Sequence, residues 1–141
     1  KANYFSRFTN LPVISDDSGL CINALKGKPG IYSARWAKKY GSFPNAMRFI
    51  LKKMKNKRNR SATFVCSLSL KYPKGKIITV TGQIKGSISY KILGSKGFGY
   101  DPIFIPLSKS ITFGQMSKAK KIRIDHRSVA FRKMKKKIKI F

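Results

Sequence analysis

The most regular pattern in the chain is a strict alternation from Ser61 to Lys71, in which Ala62, Phe64, Cys66, Leu68 and Leu70 share one face and mostly polar residues take the other. A period of two predicts a strand buried on one side. Tyr72-Pro73-Lys74-Gly75 predicts a hairpin turn, and Lys76 to Lys85 the returning strand, with Gly86 to Leu93 as its continuation in the sheet. Upstream, Pro12 to Ser15 and Leu20 to Asn23 read as short strands, separated by Asp16-Asp17-Ser18-Gly19 and followed by a turn at Lys26 to Gly30. Asp101-Pro102 opens a further apolar strand through Ile105, preceded by a glycine-rich loop at Gly94 to Gly99.

Elsewhere the period lengthens to that of a helix. Met47, Ile50, Leu51 and Met54 recur at i, i+3, i+4 and i+7 in a segment from Pro44 to Lys55, with Pro44 suited to the first helical position. Lys1 to Thr9 reads as a helix with Ala2, Phe5 and Phe8 on one side, closed by Asn10 as a left-handed cap. Ser117 caps a helix of about two turns, and Asp125 caps another running to about Ile138, with Ala130, Phe131, Met134 and Ile138 facing inward. No internal repeat or linker interrupts the pattern, so residues 1–141 read as a single domain.

Charge changes the picture more than length does. The chain carries 32 Lys and Arg against four acidic residues, a formal charge of +28. Such a surface attracts polyanions. The basic residues are mostly lysines spread along the whole chain, however, which fits a compositional bias as well as it fits a binding face. Cys21 and Cys66 are far apart and form no C-x-x-C, so they read as buried, reduced thiols of a cytoplasmic protein rather than as a zinc site or disulfide framework. No apolar run approaches the ~18 residues of a membrane span, and no signal peptide is visible.

Scarcity makes the carboxylates informative. The four are Asp16, Asp17, Asp101 and Asp125, and there is no Glu. An adjacent pair retained in so basic a chain suggests a use for negative charge, such as a Mg²⁺ ion held by one or two carboxylates and substrate phosphates. Taken alone, Asp-Asp-Ser-Gly reads more readily as a turn. On a regular strand, moreover, Asp16 and Asp17 would point to opposite faces.

Three separated stretches carry a resemblance. They are D-D-S-G-L with A-L-K-G-K-P-G-I-Y-S-A-R-W-A within residues 16–37, G-F-G-Y-D-P-I-F-I-P at 97–106, and S-K-A-K-K-I-R-I-D-H-R at 117–127. In order and spacing the chain resembles the inosine/xanthosine triphosphate pyrophosphatase family over nearly its whole length. The resemblance implies an α/β fold with an elongated, mixed β-sheet flanked by helices, and Mg²⁺-dependent hydrolysis of deaminated purine nucleoside triphosphates to the monophosphate and pyrophosphate. It implies Asp17 as the catalytic carboxylate, acting as general base or metal ligand. It implies substrate contacts from Ser18, from the loop Phe98, Gly99, Tyr100 and Asp101, and from Lys121, His126 and Arg127. A homodimer is implied as well.

The residue types suit that chemistry. Triphosphate hydrolysis is largely positioning and charge neutralisation. Lys121 offers a point charge and Arg127 a planar fork. Phe98 or Tyr100 is the candidate to stack on a purine. His126, Arg127 or a backbone N–H is the candidate donor to the O6 acceptor that distinguishes inosine and xanthosine from adenine. Tyr32, Arg35 and Trp36 read as packing or dimer contacts.

Against the family pattern, the chain lacks the first strand–helix unit, with its phosphate loop and metal-sharing Glu, and it carries Lys120 where an acidic residue is usual. The domain is therefore expected to be N-terminally incomplete, a partial enzyme sequence in preference to an inactive relic. A basic domain coating nucleic acid is the rival reading; otherwise nucleic acid would bind only non-specifically.

Overall fold

The computed structural model describes residues 2–138, so the expected helical position of Lys1 lies outside the described residues. The alternation at Ser61–Lys71 forms β3 and the return forms β4, Ile77–Ile88, longer than the expected Lys76–Lys85 but ending before Leu93. With β1 (Val13–Ile22), β2 (Pro29–Gly30) and β5 (Phe104–Pro106) they build a five-stranded sheet in the order β2-β1-β3-β4-β5. The α/β architecture with flanking helices is the one expected, and every pairing within its sheet is antiparallel. At ~3.4 Å per residue, β3 and β4 make the sheet nearly 40 Å long.

The turn reading of Asp-Asp-Ser-Gly is corrected here. β1 runs unbroken through Asp16, Asp17, Ser18 and Gly19, in register with β3 from Val13↔Lys71 to Ile22↔Ala62. The ladder takes the backbone groups that a turn would have bonded, and the side chains of Asp16 and Ser18 bond to each other instead.

The even-numbered face of β1 and β3 is the covered one. Toward one end, Leu20, Ile22, Ala62 and Phe64 pack with Ile50 and Met54 of α3 (Phe43–Lys53) and with Phe104 and Phe113. Toward the other, Cys66, Leu68, Leu70 and Val80 pack with Ala130 and Met134 of α5 (His126–Ile138). α5 comes down onto β4 at Gly82, where a Cβ would collide with the His126 carbonyl and the Ala130 amide. The cap expected at Asp125 is present: its carboxylate accepts from the Ser128 N–H at 2.8 Å. Ser117 likewise caps α4 (Lys118–Ile124), accepting from the Lys120 N–H.

Other expectations on apolar faces need correction. Phe131 and Ile138 of α5 are exposed, because only Ala130 and Met134 meet the sheet. In α1 (Ala2–Thr9) the small residues Ala2 and Ser6 are buried, while Phe5 and Phe8 stand out and stack on Tyr4. Asn10 does adopt the left-handed cap conformation, φ 52°. Cys66 is buried, but Cys21, on the odd face of β1, is only partly so. A helix that the periodicity did not reveal, α2 (Ser33–Lys39), follows β2 and packs Trp36 edge-on against Phe49 of α3. No helix among the described residues is long and apolar enough to cross a membrane.

Candidate active site

Where β1 leaves α2 and meets the start of α5, a cleft of about 220 Å³ opens. Asp16, Asp17 and Ser18 line it from β1, Phe98 to Asp101 from the loop before β5, and His126 and Arg127 from the first turn of α5. Eight of the nine residues implied by the resemblance border this one cavity; the ninth, Lys121, reaches it only through Asp101.

Asp16 and Asp17 have unlike surroundings. The Asp16 carboxylate accepts from Ser18 Oγ at 2.6 Å, from Arg127 Nε at 2.9 Å and from Cys66 Sγ at 3.5 Å. Partial burial works to raise its pKa, but the Ser18 hydroxyl and the Arg127 guanidinium prevail and hold it below the usual carboxylate range. Asp17, on the opposite pleat, is exposed at the cleft and makes no hydrogen bond or salt bridge among the described residues. A free carboxylate fits a hard cation that draws its other oxygens from phosphate and water. No group of three or more metal-ligating side chains occurs among the described residues, so the ligand's own oxygens would complete such a shell.

His126 forms part of the floor. It is 2% exposed, lies parallel to the Phe64 ring with centroids 4.8 Å apart, and has neither ring nitrogen hydrogen-bonded. Burial, reinforced by the Arg127 charge, lowers its pKa to about 4, so the imidazole is neutral at physiological pH. Buried polar atoms without partners are uncommon and costly, and two of them bordering a cleft point to a ligand that supplies the partners.

The glycine loop is held from beneath. Asp101 is buried, accepting from the Phe98 N–H at 2.6 Å and from Lys121 Nζ at 2.5 Å. Burial raises its pKa, against the lowering pull of those two donors. Gly97, at φ +81°, allows this closure; a Cβ there would strike the Asp101 carboxylate. Tyr100 also turns inward, donating its hydroxyl to the Ser33 carbonyl at 2.9 Å, and burial pushes its pKa up to about 12. Of the two candidates for stacking on a purine, Tyr100 is therefore spoken for. Phe98, 66% exposed and braced edge-on by Phe43, is free.

Sequence reasoning passed over Asp16 as a site residue, and also Ser33 and Phe43, which support the loop. The only signal for Asp16 was its place in the acidic pair.

Fold and site define an α/β domain whose cleft joins a free carboxylate to cationic donors and an exposed ring. The chain belongs to the Ham1 family, whose profile matches residues 1–137. It is 39% identical over 137 residues to a dITP/XTP pyrophosphatase of Caulobacter vibrioides, covering 96% of this chain and 71% of that one. It is 42% identical over 137 residues to a protein of the same name from Rhodospirillum centenum, covering 95% and 68%. Among solved structures, the Ham1 protein of Staphylococcus aureus superposes with a TM-score of 0.92 at 37% identity, over 98% of this chain and 72% of that one. A nucleoside-triphosphatase / dITP/XTP pyrophosphatase of Mycobacterium abscessus does so with a TM-score of 0.79 at 34% identity, over 94% and 69%. The chain thus spans 68% to 72% of the length of these relatives.

Proposed function

We propose that this protein hydrolyses deaminated purine nucleoside triphosphates, the inosine and xanthosine forms and their deoxy counterparts, to the monophosphate and pyrophosphate. The observation that carries the reading is the single cleft bordered by Asp17, the 97–101 loop and the His126–Arg127 pair. Membership of the Ham1 family and the names of the relatives support it. They also favour it over a nucleic-acid-coating role, which rests on net charge alone.

Asp17 is the residue to which we assign a divalent cation, Mg²⁺, shared with the substrate. Such an ion, when bound, neutralises charge on the phosphate oxygens. Asp17 also orients the attacking water and accepts its proton. The water oxygen bonds to the α-phosphorus as the bond to the α–β bridging oxygen breaks, and pyrophosphate leaves with that oxygen. Ser18 and the Gly99 backbone border the substrate, and Phe98 stacks on the purine. The terminal nitrogens of Arg127 can only donate, whereas neutral His126 can donate or accept. Arg127 is accordingly the stricter reader of O6, facing adenine's amino group with a second donor. Lys121 and Asp101 act by fixing the loop. A cytoplasmic homodimer completes the proposal.

The test is pyrophosphate release from dITP and dATP with and without Mg²⁺. dITP is expected to react faster by about 100-fold or more, to require Mg²⁺, and to lose about 10²–10⁴-fold in kcat with Asp17→Asn. Equal rates on the two nucleotides, or full activity in Asp17→Asn, would refute the assignment.

A further inference from the structure

We propose that Asp16 is a positioning residue, whose carboxylate clamps Arg127 through Nε and leaves the terminal guanidinium nitrogens for the anionic groups of the ligand. The identity of that ligand rests on the functional reading above; the clamp itself rests on geometry. A guanidinium has five N–H donors in a rigid fork. One of them, on Nε, is bound by Asp16 at 2.9 Å, and the others make no hydrogen bond among the described residues. The Arg127 side chain is 46% exposed at the lip of the cleft and has no other polar anchor there. Asp16, in turn, is fixed by donors from two strands: Ser18 on its own, at 2.6 Å, and Cys66 across the ladder. The arrangement makes Asp16 a relay from the sheet to α5, joining residues 111 positions apart.

The clamp works against a second effect of opposite sign. A carboxylate in an anion-binding cleft repels a triphosphate, so deleting it would by charge alone tighten binding. Positioning predicts the reverse, and the two can be separated. Calorimetric affinity for inorganic triphosphate is measured for the wild type, Asp16→Ala, Asp16→Asn, Arg127→Ala and the double variant Asp16→Ala/Arg127→Ala, with thermal melts to verify folding. Asp16→Ala is expected to weaken binding about tenfold, the worth of one charge-assisted hydrogen bond. Asp16→Asn, which keeps an acceptor oxygen, recovers most of that loss. In the Arg127→Ala background Asp16→Ala causes no further loss, since the residue it serves is gone.

Should any variant fail to fold, the slowly exchanging Nε–H resonance of Arg127 carries the test in the wild type, assigned by its disappearance in Arg127→Lys. Tighter or unchanged binding in Asp16→Ala overturns the clamp. So do equal losses in both backgrounds, a wild type that does not bind triphosphate, or a rapidly exchanging Nε–H. Triphosphate binding that follows the expected pattern without dITP hydrolysis would refute the proposed function and leave the clamp standing.

Discussion

Asp16 and Asp17 are neighbours in the chain and opposites in circumstance, because a strand sends successive side chains to opposite faces. One is tied to Arg127 and Ser18; the other is free at the cleft. His126 shows a comparable tension between stability and use. Its folded pKa of about 4 lies below the ordinary 6.5, so between those values the unfolded chain binds the extra proton. Stability is therefore unaffected by this group above pH 6.5 and falls as pH is lowered toward 4, by roughly 3 kcal/mol in all. His126→Phe should abolish that slope and add about 1–2 kcal/mol at neutral pH, because two unpaired nitrogens disappear while the stack on Phe64 is kept. Urea unfolding at several pH values measures both effects. The same variant should lose kcat/KM on dITP, since the ligand's partner at the cleft floor is gone.

At the scale of elements, the glycine loop and α4 are joined by one buried ion pair. Lys121→Met strands the Asp101 carboxylate without its cation and is expected to cost about 3–5 kcal/mol. Asp101→Asn/Lys121→Met should recover much of that, with the amide still accepting from the Phe98 N–H. Chemical denaturation of the two variants distinguishes a broken pair from general disruption of the helix. Elements defined by strong periodicity were legible in advance: β3 matched residue for residue, and the caps at Ser117 and Asp125 were found by their chemistry. α2 was not legible, because its buried residues are only Ser33 and Ala37 and its aromatic contacts are with another helix. The unbroken β1 was missed for a related reason. Asp, Ser and Gly have turn-like local preferences, and only the long partner strand overrides them. The residues bordering the cleft were legible through their motifs, but the division of labour between Asp16 and Asp17 was not, since it depends on an arginine far along the chain.

For the whole molecule, a charge of +28 on 141 residues means that self-repulsion opposes the compact state while drawing in anions. Salt should act on these two properties in opposite directions. The screening length falls from ~30 Å at 0.01 M to ~10 Å at 0.1 M, so the melting temperature should rise over that range while affinity for triphosphate declines. A melting temperature insensitive to salt would show that the lysines lie too far apart to repel one another appreciably. α5 gives the molecule one further property. Its first turn carries His126 and Arg127, and its middle closes the smaller core through Ala130 and Met134. One rigid rod thus serves as both lever and keystone, and no drift in sequence can loosen the packing at its middle without blurring the aim of the groups at its tip.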